Sequence, residues 1–163
     1  MVVTHGHLPR PHGAAARAAA GHAVTVGNFD GVHRGHRAML DRLVRAARER
    51  GLASCALTFE PHPREFFAPA AAPARLARLR EKLEFIAEAG VDRVHVLRFG
   101  APLAGMAPER FAGDVLAAGV GARWLLVGRD FRYGAKRAGD FVQLQASGAR
   151  LGFEVEAMPD VLD

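Results

Sequence analysis

Five short apolar runs separated by stretches of helical periodicity constrain this chain more than any other feature. The runs are 23–27, 52–59, 91–99, 122–127 and 153–157. The first, Ala23-Val24-Thr25-Val26-Gly27, is β-branched and stops at a glycine, as strands do. Residues 52–59 are nearly all apolar or small, the composition of a strand buried on both faces. Between these two runs, Met39, Leu40, Leu43, Val44 and Ala47 fall on one face of a helix over about 35–50, with Arg and Glu opposite. Gly51 is placed to end it. Leu76, Leu79, Leu83 and Ile86 mark a second stripe over 75–89, closed by Gly90. Pro108 opens a third helix, at a position where a missing N–H costs nothing, and it runs to about 119. Residues 140–148 read as a short fourth. Strands alternating with helices at this spacing predict an α/β fold: a five-stranded parallel sheet with helices on both faces. Ligands of such sheets sit at the carboxyl ends of the strands. The loops after the first, second and fourth strands are therefore the ones to inspect.

The bulk properties bound the function. At 163 residues, 50% hydrophobic and 24% charged, the chain is one globular domain's worth and neither disordered nor fibrous. Its net charge is +5, and Lys82 and Lys136 are the only lysines among 22 basic residues. That balance points to anionic partners, or to nothing more than an Arg- and Ala-rich composition. The one cysteine, Cys55, excludes a disulfide within the chain and fits a reducing compartment. No apolar stretch reaches the ~18 residues of a membrane span. Residues 1–21 carry His5, His7, Arg10, His12 and Arg17 and no acid, without the apolar centre of a signal peptide; residues 1–22 are expected to be a flexible lead-in.

The loop after the first strand is Gly27-Asn28-Phe29-Asp30-Gly31-Val32-His33-Arg34-Gly35-His36. Gly31 and Gly35 let backbone approach a ligand closely. The helix that begins near Gly35 turns its free N–H groups into the loop, which makes a natural phosphate site. His33 and His36, three apart, face that same point. Zinc is a weak alternative, because two histidines lack a third ligand at metal spacing. Asn28 is placed to donate to a phosphate. Asp30 either helps hold a metal or caps the turn.

After the second strand, Pro61-His62-Pro63 forms a stiff loop beside Phe66 and Phe67. These rings either offer a flat wall to a ligand or plug the end of the sheet. The loop after the fourth strand, 128–140, is basic and rich in glycine, and it carries Asp130, Phe131 and Tyr133. Three glycines and two rings at a carboxyl-end loop favour binding over a solvated turn. No G-x-G-x-x-G follows the first strand, and Gly119-Val120-Gly121 precedes a strand rather than a helix. Both points argue against a hydride-transferring dinucleotide enzyme.

The run GNFDGVHRGH (27–36) resembles the HxGH motif of the nucleotidylyltransferase superfamily. FEPHPREFF (59–67) and VGRDFRYGAKRAGD (127–140) are similar to further signatures of the bacterial bifunctional riboflavin kinase/FAD synthetases. GLASCALTFEPHP, LREKLEFIAEAGVDRV and GFEVEAMPDV extend the resemblance over about 23–161. It implies a Rossmann-like nucleotidylyltransferase fold and a cytoplasmic enzyme. The implied reaction is adenylyl transfer from ATP to FMN, giving FAD and pyrophosphate with Mg²⁺. No nucleic-acid or membrane partner is implied. Carried over by position, Gly27, Asn28, Phe29, Asp30, His33, Gly35, His36 and Gly128 serve ATP, with His33, His36 and Asn28 catalytic. Pro61, His62, Pro63, Phe66, Asp130, Phe131 and Tyr133 line the flavin side. No metal ligands are assigned. The family's Ser-Ser-Thr segment and its C-terminal riboflavin kinase module have no counterpart in these residues. The expected organisation is thus a lead-in at 1–22 and an adenylyltransferase domain at 23–163 shortened at its carboxyl end, with impaired turnover. The alternatives are a non-catalytic flavin- or nucleotide-binding module and another HxGH-type nucleotidylyltransferase.

Overall fold

A computed structural model describes residues 1–6, 21–29, 34–61, 63, 67 and 75–159. Its strands are β1 (Val2–Gly6), β2 (His22–Val26), β3 (Ala53–Glu60), β4 (Arg93–Arg98), β5 (Ala122–Gly128) and β6 (Glu154–Met158). They form one parallel sheet in the order β1-β4-β3-β2-β5-β6. The helices are α1 (Arg34–Arg50), α2 (Arg75–Glu88), α3 (Ala101–Ala104), α4 (Pro108–Arg110) and α5 (Phe141–Leu151). The α/β class, the parallel sheet and the helices on both faces agree with the sequence pattern.

Each strand turns alternate residues to opposite faces, and the core divides accordingly. Ala23, Ala56, Val94, Trp124 and Leu126 meet Leu40, Leu43 and Ala47 of α1 and Ile86 of α2. Val24, Val26, Leu57, Leu125 and Val127 meet Phe111, Val115, Leu116 and Leu144 on the other face. Leu40, Leu43, Ile86, Leu116, Leu125, Leu126 and Leu144 are wholly buried, each contributing about 1.5–3 kcal/mol relative to an exposed side chain. From β2 the chain steps through β3 to β4 with helices on one face. It then returns past β2 to β5 and β6 with helices on the other.

Three elements differ from expectation. The sheet has six strands rather than five: Val2–Gly6, inside the segment expected to be a flexible lead-in, pairs with β4 from Val2↔Arg93 to Gly6↔Leu97. His22, the last residue of that segment, opens β2; residues 7–20 lie outside those described. An edge strand needs one partner and little burial, so two valines followed by polar residues suffice where a central strand needs a longer apolar run. The helix opened by Pro108 becomes π-helical over Phe111–Gly119, with the Val120 N–H reaching back to the Val115 carbonyl at 3.0 Å. The last helix is longer than 140–148. Asp140 caps it by accepting from the Gln143 N–H at 2.9 Å, and left-handed Gly152 ends it. Cys55 is buried, and burial pushes its thiol up to about 12, so it is inert.

Polar side chains fasten the outer strands. Thr4 Oγ1 lies 2.6 Å from His95 Nδ1 and accepts from Arg93 Nε and Nη2 at 3.4 and 3.3 Å. Burial, followed by the nearby Arg93 and His5 charges, lowers His95 from 6.5 to about 4. The folded protein therefore holds His95 neutral, while the unfolded chain protonates it near 6.5. Its contribution to stability is complete above 6.5 and is lost progressively as pH falls towards about 4. His95→Gln should flatten the pH dependence of the urea midpoint across that window. Parallel profiles for variant and parent would contradict the assignment.

Candidate functional site

The strand order reverses at β2 and β5. From β2 the chain leaves towards β3, and from β5 towards β6, so the carboxyl ends of β2 and β5 are the switch point of the sheet. Open α/β sheets hold ligands at such a switch point. Thr25 pairs with Leu126 on one side, and Val26 pairs with Leu57 on the other. The loops that follow β2, β3 and β5 therefore leave the same edge of the sheet. Gly27, Pro61 and Gly128 stand at their starts.

The first loop is fixed from several directions. The Gly27 N–H donates to the Leu57 carbonyl at 3.0 Å, and Thr58 Oγ1 donates to the Asn28 carbonyl at 3.3 Å. Phe29 adopts a left-handed backbone, φ 49°, which costs a residue with a Cβ about 1 kcal/mol or more. Its ring repays this by burial, 3% exposed, in the α1 side of the core. A Cβ on Gly27 would lie 3.2 Å from that ring, so glycine is needed for close approach. His36, in the first turn of α1, meets the ring edge-on with centroids 5.3 Å apart. Among the described residues, a Cβ on Gly35 at the amino end of α1 would meet nothing within 4 Å. Asn28 Oδ1 is buried without a hydrogen-bond partner among the described residues. Buried amide oxygens rarely remain so, and a bound molecule would supply the missing donor. Asp30 and His33 lie outside the described residues.

The second loop begins after Glu60 with Pro61 and Pro63, both half-buried; His62 and Phe66 lie outside the described residues. Phe67 is exposed and meets Phe99 edge-on with centroids 6.0 Å apart. Two residues given no place in the site by sequence stand at its base. Lys82 of α2 is 7% exposed, and its Nζ donates to Thr58 Oγ1 at 3.3 Å and to the Phe59 carbonyl at 3.2 Å. The one signal pointing to Lys82 is a lysine in a chain whose basic residues are otherwise arginine, Lys136 apart.

The third loop is a rigid tongue. Its first turn closes with the Phe131 N–H on the Gly128 carbonyl at 3.1 Å, and Asp130 is exposed above Gly128. Tyr133 and Gly139 form an isolated antiparallel bridge. Phe131 stacks on Tyr133 with centroids 5.6 Å apart and planes 13° apart, and Phe111 supports Tyr133 from within at 5.8 Å. Tyr133 is buried and Phe131 half-buried, so the aromatic surface this loop offers is that of Phe131. Burial, then Asp140 and Glu109, raise the Tyr133 phenol above its ordinary value.

The switch point, two-sided helical cover and parallel order define an open, doubly wound α/β protein. Residues 15–163 match the model of the FAD synthetase family, and the chain belongs to that family. It is 49% identical over 135 residues to the bifunctional riboflavin kinase/FMN adenylyltransferase of Escherichia coli K12, covering 83% of this chain and 43% of that protein. It is 49% identical over 141 residues to the protein of the same name from Pseudomonas fluorescens, covering 86% and 45%. The chain thus spans less than half the length of these relatives. Among solved structures, one titled macrolide-efflux protein from Streptococcus pneumoniae shares the fold, with a TM-score of 0.77 at 22% identity, covering all of this chain and 51% of that one.

The tongue can be tested alone. A Cβ on Gly139 would sit 2.6–2.8 Å from three Tyr133 ring atoms. Gly139→Ala should therefore cost about 1–3 kcal/mol in urea unfolding and change the near-UV signal of the single tyrosine. Unchanged stability would show that the bridge gives way freely.

Proposed function

We propose that this chain is the FMN-adenylylating domain of its family: it holds ATP against FMN while the adenylyl group passes between them, giving FAD and pyrophosphate. The observation that carries the proposal is the Gly27–Phe29 turn at the switch point. It is held in a costly conformation, with a buried Asn28 carboxamide oxygen lacking a donor among the described residues and with α1 starting just beyond. The domain takes in β1 and His22 as well as residues 23–163, and the riboflavin kinase activity named in the relatives is not assigned to it. A cytoplasmic enzyme is in keeping with the lack, among the described residues, of any helix long and apolar enough to cross a membrane.

The chemistry asks for positioning and charge neutralisation. The FMN phosphate has a second pKa of ~6, so it is already ionised near neutrality and needs no general base. One of its oxygens forms the new bond to the α-phosphorus of ATP, and the bond from that phosphorus to the bridging oxygen breaks. Pyrophosphate leaves with the electron pair. His36, the amino end of α1 and, by position, His33 stabilise the charge that develops. Gly27, Asn28 and Phe29 shape the nucleotide side, with Asp30, Gly35 and Gly128 beside them. Pro61, His62, Pro63, Phe66, Asp130 and Phe131 form the flavin side, with Tyr133 as the support under Phe131. Mg²⁺ enters with the triphosphate as part of the substrate. Among the described residues, no three His, Cys, Asp or Glu side chains stand together as a resident metal site.

The test is to titrate FMN and ATP into the chain and to follow pyrophosphate and FAD by chromatography. Binding of both with FAD formed supports the reading. Binding of both with no turnover points to a binding module, and no flavin binding at all sinks the proposal. In the active protein, His36→Ala should lower kcat by ~10²–10³ with FMN affinity unchanged. The reverse pattern would exchange the two sides of the crevice. Gly35→Ala should hold or raise the urea midpoint, since its Cβ meets nothing among the described residues and alanine is the better helix former, yet weaken ATP binding. An unaltered ATP affinity would remove the start of α1 from the site.

A further inference from the structure

We propose that Lys82 and Thr58 form a buried positioning relay that sets the Asn28 turn for the nucleotide. This rests on the reading of that turn as the ATP side of the crevice. Lys82 reaches from α2 to the carboxyl end of β3, where its ammonium donates to Thr58 Oγ1 and to the Phe59 carbonyl. Thr58 Oγ1 in turn donates to the Asn28 carbonyl. An ammonium has no lone pair and can only donate. The Thr58 oxygen must therefore accept from Lys82, and its one proton is directed to Asn28. The charge polarises the hydroxyl and strengthens its bond to the carbonyl, which matters because each distance, 3.2–3.3 Å, is at the long end of the range.

Burial makes the relay purposeful. Lys82 is 7% exposed and Thr58 fully buried, and a lysine ammonium is costly to desolvate without partners. Composition gives no reason for a lysine here, because 20 of the 22 basic residues are arginine. A compact ammonium can donate to a hydroxyl and a carbonyl from successive residues of one strand, where the flat guanidinium fork suits paired oxygens in one plane. Neither Lys82 nor Thr58 touches the reacting atoms in this scheme. They act through Asn28, whose neighbour Phe29 sits in the left-handed region and so has somewhere easier to relax if the carbonyl is released.

Asn28 is the single asparagine of the chain, so ¹⁵N-asparagine labelling gives one backbone amide and one side-chain NH₂ pair that report on the turn directly. Lys82→Met and Thr58→Val should both shift or broaden these signals, and each should weaken ATP binding by ~10-fold, the size of one hydrogen bond, while FMN binding changes less than twofold. The double variant should lose little more than either single one, because both cut the same relay. Thr58→Val leaves the Lys82 ammonium in place and decides the question if Lys82→Met does not fold. Unmoved Asn28 signals in Thr58→Val overturn the relay, as does equal loss of ATP and FMN affinity. If the parent binds no ATP, the reading of the crevice falls, and the Asn28 signals still decide whether the relay holds the turn.

Discussion

Everything in this molecule is laid out from β2. A strand with hydrogen-bonded neighbours on both sides and apolar cover on both faces must bury each residue, and all five from His22 to Val26 are buried. Its neighbours lead away in opposite directions, β3 towards β1 and β5 towards β6. The connections that leave the carboxyl ends of β2 and β5 therefore run to opposite sides of the sheet. Polar demands in this strand are met locally: the Thr25 hydroxyl donates to the Leu126 carbonyl at 2.7 Å, and the His22 ring bonds the Val120 carbonyl at 2.7 Å. The centre of the sheet is thus sealed, and chemistry is confined to its edge.

Above that edge the turn at Gly27–Phe29 is determined several times over. Backbone bonding to β3, the close fit of Gly27 to the Phe29 ring and the burial of that ring each hold it. Redundancy of this kind is what allows a residue with a Cβ to persist at φ 49°. Phe29 serves the core, while among the described residues the Asn28 carboxamide oxygen has no hydrogen-bond partner and a Cβ on Gly35 would meet nothing within 4 Å.

Much of the fold is legible in the sequence because it depends on period and punctuation. The stripe Leu40, Leu43, Ala47 is buried against the sheet, and the runs at 52–59 and 122–127 are central strands, since continuous apolar character has no other outlet. Val2–Gly6 is not legible, because an edge strand borrows its order from β4 rather than from its own composition. The π-helical turn is hidden as well: no residue in Phe111–Gly119 marks it, and nothing in the structure explains why the helix widens there. Among candidate site residues, motif and spacing locate the loops but not the directions of side chains. Phe131 and Tyr133 look alike in sequence, yet one covers the other. Thr58 and Lys82 lie 24 positions apart, and their hydrogen bond exists only once α2 has packed on β3.

Two arginines of α1 cover the Trp124 indole of β5. Arg42 and Arg50 lie over its ring at 5.7 and 4.7 Å, and Arg42 also forks onto Glu156 of β6 at 3.0–3.2 Å. α1 is thereby riveted across β5 to the outermost strand on that side. An edge strand ordinarily frays on its own, with amides that exchange quickly. Here β6 cannot peel away without surrendering the Arg42 fork, and α1 cannot tilt without disturbing the indole beneath it. The two should open as a single cooperative unit, so the slow-exchanging heart of the protein reaches out to one margin of the sheet.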